Sequence, residues 1–148
     1  METNRNLKLD ISLLSTRLTL AIVMMAHGAQ KMFGWFGGYG WEGTMGFFTE
    51  TIGLPYFIGM IIILAETVGM MALAIGLGSR WLAGVVVILM VGAIFSVHLS
   101  QGFFMNWDGT LKGEGFEFHL LAIALAIPII LLGGGKFALD DKLKSKAS

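Results

Sequence analysis

Four long apolar stretches alternate with polar or glycine-rich stretches along the chain. Each apolar stretch is continuous rather than alternating in polarity, and each is close to the ~20 residues that a helix needs to cross a bilayer. Only helices and closed barrels satisfy their backbone hydrogen bonds in lipid, so continuous apolar runs predict helices. The pattern therefore predicts an all-α, integral membrane four-helix bundle, with helices at about 11–33, 55–77, 81–100 and 117–134.

These helices define one membrane domain, predicted over residues 11–135, with polar segments on either side. Within the domain, the loops 34–54 and 101–116 fall at the same face of the predicted bundle. Residues 1–10 and 136–148 are predicted to be cytoplasmic tails.

Basic residues are distributed unequally between the two faces. Seven of them lie near the termini or in the turn between the second and third helices, against Lys112 in the opposite loops: Arg5, Lys8, Arg80, Lys136, Lys142, Lys144 and Lys146. The positive-inside rule then predicts that both termini are cytoplasmic.

The composition agrees with a membrane protein and excludes several chemistries. Of 148 residues, 55% are hydrophobic and 14% are charged. The ten basic and ten acidic residues balance, so the chain carries no electrostatic signature of nucleic-acid binding. It contains no cysteine, which excludes disulfides, thiolate metal sites and iron–sulfur ligation by this chain.

A single carboxylate, Glu66, interrupts the second apolar stretch near its middle. A charged side chain at the centre of a bilayer costs at least ~2.5 kcal/mol unless it is paired or protonated. Glu66 therefore needs a partner, a proton or a function. Two pairings on the first helix remain open, one with Arg17 and one with His27.

Counting the helical rise from the cytoplasmic ends places three histidines at one level near the outer surface. Glu66 falls about 8 Å below that level and Arg17 about 8 Å lower still. The predicted ligand-binding residues are His27, Lys31, Glu66, His98 and His119. For Lys31, an alternative is that its ammonium group simply reaches the membrane interface. Arg17 and Glu117 are assigned to charge balance or structure.

Aromatic residues concentrate at the same end as the histidines, in the two loops and the adjoining helix ends. An interfacial belt accounts for part of this excess, but a belt should mark both membrane faces. We therefore expect a closed aromatic cap over the histidine level. Within the first loop, a short amphipathic helix is predicted near residues 42–51.

Several interpretations of this polar level remain open. A quinone or another flat apolar molecule could stack on aromatic rings while histidine and lysine hydrogen-bond its oxygens. Haem or a metal ion could use the three imidazoles, although we rank this below a quinone. A proton path could connect the histidines to Glu66. Alternatively, these groups satisfy one another in a purely structural network.

With these residues in view, the chain resembles the DoxX family of small four-helix membrane proteins. The matching segments are Arg17 with AHGAQKMFGWFGG (26–38), AETVGMMALAIGLGSR (65–80), VHLSQGFF (97–104), GEGFEFHLLAIALA (113–126) and GGGKFALDD (133–141). In the last segment, Gly134 and Lys136 stand where proline and arginine are common in the family.

The resemblance implies a bacterial inner-membrane protein associated with redox chemistry. Related proteins are linked to subunits of thiosulfate:quinone oxidoreductase, to complexes with sulfurtransferase and superoxide dismutase partners, and to quinone or catechol stress. The family offers no agreed catalytic residues, and without cysteine this chain has no persulfide relay.

The sequence thus favours a protein that binds a quinone or a similar small apolar molecule in an outer-side pocket, as a subunit of an oxidoreductase. Membrane or redox proteins, or further copies of the chain, are its expected partners. The alternative is a non-catalytic structural or accessory subunit of a membrane complex.

Overall fold

The computed structural model describes residues 2–147, and it describes side chains over residues 6–143. This part of the chain is helical and contains no strands, which confirms the predicted all-α class. The α-helices are α1 (Glu2–Phe33), α2 (Gly40–Gly46), α3 (Tyr56–Leu64), α4 (Met70–Ile75), α5 (Ser79–Ala93), α6 (Glu117–Leu132) and α7 (Leu139–Ala147).

Short π-helical segments join or extend several of these helices. Phe47–Thr51 extends α2, Ala65–Gly69 connects α3 to α4, and Ile94–His98 extends α5. As a result, α3 and α4 form one continuous helix, which we call the α3–α4 helix. The extended α5 helix likewise runs on through its π-helical segment to Gln101. The short helix predicted near residues 42–51 is present as α2 and its extension.

Within the described residues, three helical stretches are long and apolar enough to cross a membrane: Asn6–Phe33, Tyr56–Ile75 and Ser79–Gln101. The fourth apolar stretch forms α6, which has 16 residues and is about 24 Å long. It is shorter than predicted because Gly133, in the left-handed region with φ 84°, ends the helix at Leu132. Helices of this apolarity bury little of their surface against protein and leave the rest for lipid.

The four apolar helices share a core. The most extensive packing is between α5 and α6, while α1 packs on both α4 and α6. The core side chains are well buried and come from all four: Leu20, Ala21, Met24, Met70, Leu73, Ala83, Val86, Met90, Ala122, Ala126 and Ile129. We refer to the end with the Gly76–Gly78 turn and α7 as the terminal end, and to the end with residues 34–55 and 102–116 as the loop end.

The C-terminal segment is folded rather than a tail. The carboxylate of Asp140 accepts hydrogen bonds from the backbone N–H groups of Gly78 and Ser79, both at 2.8 Å. The backbone N–H of Asp140 donates to the carbonyl of Gly76 at 2.9 Å. A carboxylate at the first turn of a helix satisfies N–H groups that have no partner within the helix. Residues 136–147 therefore close the terminal end by capping α5.

The N-terminal segment also differs from the predicted tail, because α1 begins at Glu2. The backbone N–H of Lys136 donates to the Asp10 carboxylate at 3.0 Å, which holds this first part of α1 against the C-terminal segment. Met1 and Ser148, which the sequence assigned to the tails, lie outside the described residues.

Candidate functional site

A cavity of about 800 Å³ opens between α1, α3, the extended α5 helix and the start of α6. We call it the histidine cavity. Its lining includes all five predicted ligand-binding residues: His27, Lys31, Glu66, His98 and His119. Its other walls are mostly apolar. The structure thus brings together residues that are up to 92 positions apart, from His27 to His119.

Glu66 and Lys31 form an ion pair in the back wall of this cavity. The Glu66 side chain is only 5% exposed, whereas that of Lys31 is 28% exposed. Glu66 lies in the π-helical segment Ala65–Gly69, a type of helical irregularity that is frequent at functional sites. Both proposed partners of Glu66, Arg17 and His27, are therefore wrong as its salt-bridge partner among the described side chains.

Gly28 explains why Lys31 reaches Glu66. A Cβ atom at Gly28 would collide with the backbone of Glu66 and with the side chain of Thr67, so α1 and the α3–α4 helix touch at this point. Lys31 follows Gly28 by three residues and hence lies on the same face of α1. The close approach at Gly28 therefore sets the register that places Lys31 beside the Glu66 carboxylate.

Arg17 belongs to the terminal end instead. Its Nη2 donates to the carbonyl of Phe137 at 3.3 Å, and its guanidinium is attracted electrostatically to Asp140. A side chain at Gly76 would occupy the space that the guanidinium fills. Gly76 is ten residues from Glu66, or about 15 Å along the helix, which is beyond the reach of Arg17. The structural role expected for Arg17 is thus a link between α1 and the C-terminal segment.

The His98 and His119 rings pack together in the cavity wall, with centroids 4.2 Å apart. The Nδ1 of His98 is 2.8 Å from the carbonyl oxygen of Glu114. Because a carbonyl only accepts hydrogen bonds, Nδ1 is the donor here, and in the uncharged form of the ring Nε2 is therefore an acceptor. His119 is only 6% exposed, and its Nδ1 has no hydrogen-bond partner among the described residues. A buried polar atom without a partner is costly, so a ligand that bonds it would be favoured.

His27 and Glu117 have different surroundings. The His27 ring packs against Phe118 with centroids 5.3 Å apart. Glu117 accepts hydrogen bonds from the backbone N–H of Met105 at 2.9 Å and from the Trp107 indole at 3.2 Å. Glu117 therefore holds the loop 102–116 in place and does not line the cavity.

The expected closed aromatic cap is not what the structure has. Among the aromatic rings of the loop end, those lining the cavity are Phe47, Phe48 and Phe118. Other rings at this end are largely exposed: Trp35, Phe36, Tyr39 and Trp107. Their number near the loop end therefore fits an interfacial belt better than a cap.

Sequence reasoning missed the apolar walls of the cavity. They consist chiefly of isoleucine, leucine and valine on α3 and α5: Ile58, Ile61, Ile62, Val85, Ile88 and Leu89. In a membrane helix such residues are ordinary at every position, so no sequence signal separates a cavity wall from a lipid-facing surface.

The described side chains are not arranged to ligate a metal ion or haem. No group of three or more His, Asp or Glu side chains in residues 6–143 is arranged to hold a metal. Haem ligation by two imidazoles needs one ring on each side of a flat macrocycle. The His98 and His119 rings are in contact with each other, which leaves no such gap between them.

Comparisons with known proteins agree with the earlier resemblance. The DoxX family model matches residues 12–99, a range that contains Arg17, His27, Lys31, Glu66 and His98 and ends before His119. The chain is also similar to a protein of Bacillus subtilis (strain 168) named "Putative oxidoreductase CatD". The two are 30% identical over 135 residues, which cover 91% of this chain and 89% of that relative. No solved structure matches the chain.

Proposed function

The chain belongs to the DoxX family of membrane proteins, and we propose that it binds a quinone, or a similar small apolar molecule, in the histidine cavity. We further propose that it does so in the bacterial inner membrane as a subunit of an oxidoreductase. The name of the Bacillus relative supports the association with redox chemistry.

The observation that carries this proposal is the composition of the cavity. Ligand pockets typically have volumes of about 300–1,000 Å³, mostly apolar walls and a few converging polar groups. The histidine cavity has a volume of about 800 Å³, apolar walls from α3 and α5, and six titratable residues in its lining, namely the five predicted ones and Glu114. A purely structural polar network would not need such a space beside it.

The polar groups suit a quinone in both of its oxidation states. Quinone carbonyls accept hydrogen bonds, and the Lys31 ammonium is a donor. Hydroquinone hydroxyls donate, and Nε2 of His98 is an acceptor. Reduction of a quinone consumes two electrons and two protons. Glu66 and the histidines are groups that can carry protons, and the electrons come from a redox partner protein.

The test is to extract the protein, purified gently from native membranes, with organic solvent and to identify bound quinones by mass spectrometry. We expect a near-stoichiometric quinone in the wild type and its loss in His98→Ala. Ser100→Ala is the matched control, since Ser100 lies on the same helix two residues away but does not line the cavity. Absence of a bound quinone even after saturation with added quinone would contradict the proposal.

The alternative is a non-catalytic structural or accessory subunit of a membrane complex, and the pairing of the buried Glu66 carboxylate with Lys31 is the observation that favours it. In that case the cavity residues would contribute to stability alone. Wild-type protein would then bind no quinone, and His98→Ala would change only the unfolding temperature.

A further inference from the structure

The histidine cavity extends as a cleft between α3 and α5. The α3–α4 helix contacts α5 at the terminal end, through α4 and through the segment Ala65–Gly69. Towards the loop end α3 packs on α1 and α2 instead. The lining of the cleft includes Ile61 on α3 and Ile88 on α5.

The cleft is long and apolar away from its polar end. Along the extended α5 helix it is lined from His98 back to Val85, a distance of about 20 Å. Ile61 and Ile88 are 52% and 71% exposed. Because both belong to stretches long and apolar enough to cross a membrane, we infer that their exposed surface faces hydrocarbon. The cleft therefore connects the polar groups with the surrounding lipid.

Gly92 keeps the middle of this cleft clear. It lines the cavity, and a Cβ atom built on it would have no heavy atom within 4 Å. Its backbone is helical rather than left-handed, so neither a tight turn nor a close helix approach requires glycine here. Glycine is unfavourable in the middle of a helix. Its presence fits a wall that must leave room for a ligand.

We propose that the cleft binds the hydrocarbon tail of a membrane-borne ligand, which enters sideways from the bilayer while its polar head bonds the histidine cluster. The proposal rests on the proposed function and narrows its ligand to a quinone with a long isoprenoid tail. A ring without a tail would leave the apolar walls between Val85 and Gly92 uncovered.

The test uses Gly92→Phe, which adds an aromatic ring to the cleft wall at a position where a built Cβ has no heavy atom within 4 Å. Gly84→Phe is the matched control, because Gly84 lies on the same helix, also has no heavy atom within 4 Å of a built Cβ, and does not line the cavity. The full-length variants in lipid nanodiscs are titrated with ubiquinone-10 and with the same benzoquinone ring lacking the tail. Each ligand is compared across variants, so its partitioning into lipid cancels.

We expect Gly92→Phe to bind the tailed quinone about tenfold more weakly than wild type. This factor corresponds to the hydrophobic free energy lost when roughly two methylene groups of the tail are no longer buried against the apolar wall. Binding of the tailless ring should be unchanged, and Gly84→Phe should match wild type with both ligands. If Gly92→Phe does not fold, Ile88→Trp narrows the same cleft from an exposed position.

The outcomes separate this inference from the proposed function. Equal effects of Gly92→Phe and Gly84→Phe on the tailed quinone, with both quinones bound by wild type, would overturn the tail cleft alone. Failure of wild type to bind either quinone would overturn the proposed function and the tail cleft with it.

Discussion

The sequence predicts that Glu66 is buried and paired, but it does not identify the partner. A carboxylate inside an apolar stretch predicts burial and a partner, and the structure has both, since the Glu66 side chain is 5% exposed and paired with Lys31. The identity of the partner depends on how α1 lies on the α3–α4 helix. That register follows from the contact at Gly28, which no local sequence pattern encodes.

Replacing Glu66 by Gln should lower the free energy of unfolding by about 1–3 kcal/mol. Removing one partner of a fully buried pair costs about 3–5 kcal/mol, but the partly exposed Lys31 can recover some solvation. Thermal unfolding in detergent measures the change, with Glu50→Gln as the control because Glu50 is an exposed carboxylate. If Lys31→Met combined with Glu66→Gln is as unstable as the sum of the single variants, the two side chains do not interact as a pair.

The helices themselves follow from the hydropathy pattern, but their ends and contacts do not. All four apolar stretches became helices, whereas α6 is shorter than its apolar run suggested. The segment 139–147 looked like a polar tail because its local pattern is charged. Its fold comes from Asp140 capping a helix that begins 61 residues earlier in the chain, at Ser79.

Gly28→Ala should separate α1 from the α3–α4 helix, because the added Cβ meets the backbone of Glu66 rather than a flexible side chain. The cost of such overpacking is typically about 1–3 kcal/mol. Gly46→Ala is the control, since a Cβ at Gly46 has no heavy atom within 4 Å and alanine favours helix. Both are compared by thermal unfolding. Equal stability of the two variants would argue against close contact at Gly28.

At the scale of the whole molecule, composition and hydropathy predicted the class of protein, and the comparisons agree with it. The predicted helices also placed the three histidines at one depth in the bundle, because the rise per residue of a helix is regular. Composition and hydropathy could not predict the cleft between α3 and α5, because it arises from the divergence of two helices whose facing residues resemble any lipid-facing surface.

The distribution of basic residues predicts the orientation of the protein in the membrane. Arg80 and Lys136 lie together at the terminal end, in a second cleft lined also by α1 and α7. We expect this end in the cytoplasm, so alkaline phosphatase fused within 34–54 or 101–116 should be active and fusions after residue 148 inactive. A green fluorescent protein fusion after residue 148 should show the opposite pattern. Active phosphatase at the C-terminus would reverse the orientation.

Locating a bound quinone would decide whether a quinone occupies the histidine cavity. A photoreactive, tailed quinone is cross-linked to the protein in lipid nanodiscs, and the labelled peptides are sequenced by mass spectrometry. We predict labelling concentrated on the cavity lining, at residues such as Lys31, His98 and Phe118, and its suppression by excess unlabelled quinone. Labelling that is spread over exposed apolar residues such as Leu121 and Leu131, and that excess unlabelled quinone does not suppress, would contradict quinone binding in the histidine cavity.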